Sequence, residues 1–262
     1  MERIDLSVEG RVATVVINRP EVRNAFDPAT LFELSEAFDT IEARDDIWIA
    51  VLTGAGDQAF CAGRDLKRLA LTSRDEAERR IDDDVLARST RFTDRFRFPK
   101  PVIAALNGSA YGGGLELALA CDIIVAAEHA RLALPEPRRG LIALGGGVHR
   151  LARQIPLKQA MGYLLTGREM TAAEAERLGL VNEVVPHAEL AQATRSWVDD
   201  ILACAPLAVR ATKECVMRGL DFPLAEAARH EYEWERRRRA SRDAVEGPRA
   251  FAEKRPPVWT GE

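Results

Sequence analysis

Little in this chain of 262 residues points to disulfides, metals, membranes or nucleic acid. Its four cysteines, Cys61, Cys121, Cys204 and Cys215, are scattered with no CxxC pair, and the four histidines stand apart from them. Neither a disulfide framework nor a zinc site is suggested, and reduced thiols in a cytoplasmic protein are expected. No apolar run is long enough to cross a bilayer, and Met1-Glu2-Arg3-Ile4-Asp5 lacks the apolar stretch of a secretory signal. A soluble protein with no membrane partner follows as the expectation. There is no basic excess either: 37 Lys and Arg against 41 Asp and Glu leave a formal charge of −4. A nucleic-acid binder driven by bulk electrostatics would be net basic, so no nucleic-acid partner is expected. Internal repeats, low-complexity segments and a nucleotide-binding fingerprint are also missing.

What remains is a composition of 47% hydrophobic and 30% charged residues, which supports a sizeable core and argues against global disorder. Such a length suits one large domain, or one domain with a smaller appendage. The β-branched run Val12–Ile17, entered through Glu9-Gly10, predicts a hairpin with a strand around Ile4–Val8. Asp27 as N-cap and Pro28 at the first helical position predict a helix to about Ala43, with Leu31, Leu34, Phe38 and Ile41 at helical spacing. Trp48–Leu52, Val102–Leu106 and Asp122–Ala126 read as strands, and Gly113–Cys121 as a helix apolar except for Glu116. The segment from about Ser73 to Phe98 is highly charged. Strands and helices alternate to about residue 185, so a mixed α/β domain is predicted. After Pro186 only helices are expected, near 188–203, 206–219, 223–240 and 244–254.

Two glycine-bearing turns stand out. The first is Ala59-Phe60-Cys61-Ala62-Gly63-Arg64-Asp65-Leu66, and the second runs from Asn107 through Gly112-Gly113-Gly114 to Glu116. Glycine lets backbone N–H groups approach a ligand with no β-carbon in the way. Gly113 lies where a strand-end loop becomes a helix, so its N–H is unpaired and favoured by the helix dipole for a developing oxyanion. The glycines could equally serve close strand–helix packing. Glu116 in an apolar helix must be paired, solvated or neutral, which leaves a buried salt bridge or a tuned acid or base open. Glu136, held between Pro135 and Pro137, could be positioned for the same chemistry or belong to an ordinary turn. The Arg236–Arg239 run, interleaved with Glu231, Glu233 and Glu235, reads as a solvated helix face rather than a nucleic-acid patch.

Together these segments resemble the enoyl-CoA hydratase/isomerase (crotonase) superfamily, from about Val12 to Trp259. The resemblance is carried by AFCAGRDL at Ala59–Leu66, KPVIAALNGSAYGGGLELALACDII at Lys100–Ile124 and LPEPRRGLIALGGGVHRL at Leu134–Leu151. LTGREMTAAEAERLGLVNEVV at Leu165–Val185 and EGPRAFAEKRPPVW at Glu246–Trp259 extend it, and the tail is similar to the carnitinyl-CoA dehydratase branch. The resemblance implies an α/β fold, a spiral of ββα units over residues 1–186 that carries the active site. A helical region, 187–262, would serve trimerisation and CoA contact. It implies that the backbone N–H groups of Arg64 and Gly113 bind a thioester carbonyl oxygen and that Glu116 and Glu136 are the catalytic acids. Arg23, Ala62, Gly63, Arg64, Asp65 and Leu66 would hold CoA, with Phe251 and Lys254 reaching it from a neighbouring subunit. The activity implied is an enoyl-CoA hydratase, a hydro-lyase of fatty acid metabolism acting on an acyl-CoA as a homotrimer or dimer of trimers. It would need no metal or cofactor beyond the CoA of its substrate. A dehydratase or double-bond isomerase on a specialised acyl-CoA, or a CoA-thioester- or RNA-binding protein without turnover, are the alternatives.

Overall fold

The chain enters through the hairpin that its Glu9-Gly10 turn predicts: β1 (Ile4–Glu9) and β2 (Val12–Ile17) pair antiparallel. In this computed structural model residues 1–72 and 75–262 are described; Ser73 and Arg74, at the head of the charged segment, lie outside the described residues. Asp27 caps α1 (Pro28–Ala43), its Oδ1 accepting the Thr30 N–H at 2.8 Å, with Pro28 in the first turn. Leu34, Phe38 and Ile41 are buried along one face of α1. Buried Lys100 donates to the carbonyls of Ile41 and Arg44, satisfying acceptors that the end of the helix leaves open.

One unit then recurs three times. β3 (Ile49–Gly54) leads by a short turn into β4 (Ala59–Cys61), followed by α2 (Leu66–Thr72) and α3 (Glu76–Ala87). β5 (Val102–Leu106) leads into β6 (Ser109–Tyr111) and α4 (Gly113–Ala120). β7 (Ile123–Ala127) leads into β8 (Arg131–Ala133), a 3-10 turn at Glu136–Arg139 and α5 (Gly147–Gln154). The first strand of each unit joins one sheet and the second joins another. With α6 (Leu157–Thr166), β9 (Met170–Thr171), α7 (Ala172–Arg177) and β10 (Glu183–Val185), the sheets are complete. The six-stranded sheet has the order β1-β2-β3-β5-β7-β10 and is parallel from β2 onward. The four-stranded sheet has the order β4-β6-β8-β9, antiparallel only at β8 and β9. This is an α/β spiral of ββα units.

Alternation along the strands sorts the core into two layers. Ala50, Leu52, Ala104, Leu106 and Ala126 face the main cluster, with Phe38 and Phe60. Ile49, Val51, Ile103, Ala105 and Val125 face the other way, onto Leu190 and Val198 of α8 (Leu190–Leu202). The rest of the chain is α9 (Pro206–Gly219), α10 (Leu224–Ala227), α11 (Glu233–Arg239) and α12 (Asp243–Glu253). A single helix over 223–240 is therefore corrected to two. Tyr232, only 8% exposed, donates its hydroxyl to the Ala227 carbonyl, and the His230 ring lies 4.8 Å from both Phe222 and Tyr232. Ala228, Arg229 and His230 still donate to the carbonyls of Leu224, Glu226 and Ala227, and the chain leaves the helix at Glu231 and Tyr232. The Arg236–Arg239 run spends much of its charge locally: Arg237 pairs with Glu233, and Arg238 and Arg239 with Glu235. Among the described residues no helix is long and apolar enough to cross a membrane.

Phe38 is the keystone of the main cluster. It is fully buried, stacks on Phe92 with 4.1 Å between ring centroids and meets Phe98 edge-on at 5.5 Å. Phe38→Ala is expected to lower stability by about 3–5 kcal/mol, since a close-packed site refills only in part. Urea unfolding would read this as a lower midpoint at unchanged slope.

Candidate active site

The first glycine-bearing turn is held by one isolated parallel bridge to Phe26. The Phe26 N–H donates to the Gly63 carbonyl and the Asp65 N–H donates to the Phe26 carbonyl, both at 2.9 Å. In a parallel ladder the residue between such bonds turns its own amide away from the partner, so the Arg64 N–H faces away from Phe26. Behind this turn lie two buried asparagines. Asn24 donates to the carbonyls of Ala55 and Ala59, and Asn107 donates to those of Gly56 and Ala59. Both side chains thus grip the end of the loop that feeds β4.

The second turn is built on a backbone that only glycine adopts freely: Gly112 has φ 53° and ψ −125°. Gly113 opens α4, so its N–H has no acceptor within the helix and sits at the positive end of the helix dipole. The two turns adjoin. A β-carbon on Gly63 would stand 3.0 Å from the Gly113 nitrogen and 2.6 Å from the Tyr111 carbonyl oxygen. The Phe26 ring packs flush on Gly113, where a β-carbon would fall 2.7 Å from Cε1.

Both acids reach this place. Glu116, 7% exposed, sits in the first turn of α4, and its Oε1 accepts the Gly147 N–H at 2.9 Å. A β-carbon on Gly145 would lie 2.5 Å from its Oε2, so the Gly145–Gly147 turn wraps the carboxylate and leaves no room for a side chain. Burial pushes the Glu116 carboxyl above its ordinary range, opposed by the Gly147 and Gly145 amides and by the charges of Arg91 and Arg150. Those two arginines act across space, so Glu116 is not a member of a buried salt bridge. Glu136 enters the 3-10 turn after Pro135, and a β-carbon on Gly112 would meet its Oε1 at 2.9 Å. Its Oε2 is buried and finds no partner among the described residues. Burial raises the Glu136 carboxyl, its own backbone amide opposes this, and the Glu116 charge raises it further. Two turns with unspent amides, buried Glu116 and half-buried Glu136 are thus gathered around residues 112–116.

A cavity of about 640 Å³ adjoins the turns at Ala62 and Tyr111, with Arg23, Gln58, His129 and His187 also on its wall. Neither glutamate lines it. Arg23, with φ 55°, accepts the Ala62 N–H on its carbonyl at 3.0 Å, which locks the cavity wall to the first turn. The Arg64 side chain is exposed. Asp65 accepts the Arg68 N–H at the head of α2, where Leu66 begins the helix. Phe251, 88% exposed, and Lys254, which closes α12 with φ 54°, lie off this wall. Among the described residues no group of three or more His, Cys, Asp or Glu is placed to hold a metal ion.

Four contributors were not singled out in the sequence: Phe26 over Gly113, the asparagine pair Asn24 and Asn107, the Gly145–Gly147 cradle and Arg150. The cradle did leave a signal, since it is a second glycine triplet opening a helix and is spelled like Gly112–Gly114.

Residues 7–262 match the model of the enoyl-CoA hydratase/isomerase family. The chain is 41% identical to the carnitinyl-CoA dehydratase of Escherichia coli (strain K12) over 266 residues, covering 99% of each. It is 40% identical to the carnitinyl-CoA dehydratase of Salmonella typhi, again over 99% of each. The crystal structure of an enoyl-CoA hydratase from Mycobacterium marinum superposes with a TM-score of 0.89 at 39% identity, covering 99% of both chains. One from Bacillus anthracis superposes with a TM-score of 0.90 at 36% identity, over 99% of this chain and 100% of the other.

Proposed function

Because the chain belongs to the enoyl-CoA hydratase/isomerase family, we propose that it adds water reversibly across the 2,3 double bond of a 2-enoyl-CoA. As water oxygen bonds to C3, the π electrons shift toward the thioester and negative charge grows on the carbonyl oxygen. The N–H groups of Arg64 and Gly113 receive that charge, and fixed donors stabilise it more than the neutral ground state. Glu116, facing two amides and two guanidinium groups, is the carboxylate that takes the proton from water. Glu136, with an unpartnered oxygen beside a negative neighbour, holds the proton that goes to C2. Dehydration reverses both transfers. A C–O and a C–H bond form as the π bond and an O–H bond of water break, so the step is redox-neutral and calls for no redox cofactor. The single observation that carries this reading is the pair of acids, one buried and one half-buried, in unlike environments against two adjoining amide-bearing turns. Loss of the conjugated-thioester absorbance on adding enzyme, with the 3-hydroxyacyl-CoA identified by mass, tests it.

The cavity beside Ala62 takes the CoA chain, with Arg23 near the phosphates and with Gly63, Asp65 and Leu66, which follow Ala62 in the first turn, adding contacts outside the cavity wall. Arg23 is exposed, so its ion pair is screened. Arg23→Gln is expected to raise KM about two- to fivefold at constant kcat, an effect that fades with added salt. A KM indifferent to both substitution and salt would remove Arg23 from the binding site. Phe251 and Lys254 then meet CoA from a neighbouring copy in a cytoplasmic homotrimer or dimer of trimers. The exposure of Phe251 supports this assignment.

A second reading is favoured by one observation, the 40–41% identity to carnitinyl-CoA dehydratases. The physiological direction is then loss of water from a specialised 3-hydroxyacyl-CoA. A panel of enoyl and 3-hydroxyacyl thioesters, with products identified by mass, separates the readings and exposes isomerisation, which adds no water.

A further inference from the structure

Building on the hydratase reading, we propose that Arg150 is the positioning residue for Glu116. It ties the Gly145–Gly147 cradle to the segment at Thr93 and supplies a half-buried positive charge beside the carboxylate.

Arg150 stands in α5, whose first residue, Gly147, donates to Glu116. From there its guanidinium reaches back over the cradle. Nη1 donates to the Gly145 carbonyl at 3.3 Å and Nη2 to the Thr93 carbonyl at 2.6 Å, while the Phe96 ring covers the group at 5.4 Å. The Nη1 atom lies where a β-carbon on Gly146 would be, so the turn is flat beneath the guanidinium. The side chain thus clamps the cradle at Gly145 and Gly146. Besides the clamp, the amides of Gly147 and Gly145 fix where the carboxylate sits.

Charge is the second half of the proposal. The charges that act on Glu116 are those of Arg91 and then Arg150, and the Glu116 charge in turn raises Glu136. Arg91 is exposed and shares its charge with Asp94 in an ion pair of 2.7 Å. Arg150 is half-buried and bonds two carbonyl oxygens rather than a carboxylate, so its field on Glu116 is not cancelled at contact. Asp94, Glu116 and Cys121 are the groups that act on Arg150 in turn, and burial lowers its guanidinium from its ordinary value. Its charge is accordingly worth more than a surface charge at the same distance. A neutral donor could bond the same carbonyls. Only a cation also holds Glu116 ready to take a proton from water.

The test separates clamp from charge by titrating Glu116 directly. Infrared difference spectra against Glu116→Gln isolate its carboxyl band, and the midpoint is followed in wild type, Arg150→Gln and Arg150→Lys, with no substrate present. We expect Arg150→Gln to raise the midpoint by about one pH unit and to lower kcat roughly tenfold at nearly constant KM, while Arg150→Lys stays near wild type. An unchanged midpoint in Arg150→Gln overturns the proposal. Equal displacement in both variants overturns it too, because the arginine would then act through shape alone. Failure of the hydratase reading would look different: wild type would turn over no enoyl thioester, and the midpoints would still report the coupling.

Discussion

Glu116→Gln and Glu136→Gln each lower kcat for hydration of a 2-enoyl-CoA by about 10²–10⁴-fold, the range a positioned proton-transfer group contributes. The amide keeps the volume of the acid, so the cradle at Gly147 and the contact with Gly112 persist and KM moves little. What is lost differs between the two. In Glu116→Gln no group remains to accept the proton of water. In Glu136→Gln no acid remains to deliver one to C2. Burial raises the Glu116 carboxyl, so the wild-type rate climbs with pH through a limb lying above the ordinary carboxylate range. Above that limb Glu116 is ionised; below it the base is protonated and the rate falls. The Glu136 carboxyl is raised further by the Glu116 charge, so the neutral amide of Glu116→Gln lets it ionise at lower pH. Steady-state absorbance assays across the acid and neutral range measure both effects. Undiminished turnover in either variant would remove that residue from the chemistry.

The second large effect falls on a backbone position. Gly113→Ala is expected to cost roughly 10²–10³-fold in kcat, comparable to losing one oxyanion-hole donor, although the amide itself survives the substitution. The added β-carbon meets the Phe26 ring, with Cε1 2.7 Å away, and Phe26 cannot retreat because its own N–H and carbonyl are bridged to Gly63 and Asp65. Relief must come from the second turn, which shifts the Gly113 N–H off its aim. Combining Gly113→Ala with Phe26→Leu opens room where the clash occurs and should recover part of the loss. A double-mutant cycle on kcat reads that recovery as a non-additive term. Strictly additive losses would mean that the two residues do not share a contact, and the geometry of the turn would need to be redrawn.

Much of the scaffold was readable beforehand because its causes are local. Asp27-Pro28 starts α1 at the position a cap and an N1 proline dictate, and Pro206 starts α9 in the same way. The hairpin at Glu9-Gly10 and the buried strand Val102–Leu106 follow from turn chemistry and β-branched content. The boundaries moved by a residue or two, as with the strand read as Trp48–Leu52 and found as Ile49–Gly54. The helix read across 223–240 failed for a different reason: it is interrupted where Tyr232 tucks its hydroxyl against the Ala227 carbonyl. No pattern within those residues reveals that interruption.

For the site itself the division is sharper. The residue string alone determined that a glycine-bearing turn leads into a helix, that Gly113 leaves an amide free at its start, and that an acid follows within a turn. These are consequences of sterics and hydrogen-bond counting over a handful of positions. Tertiary structure alone decided what surrounds that acid. The Gly147 amide that holds Glu116 lies 31 residues away, Arg150 reaches Thr93 across 57, and Asn24 grips Ala59 across 35. Contacts at such separations form only when whole sheets and helices dock, because burial of the apolar layers, not the preference of any short segment, pulls the distant pieces into register.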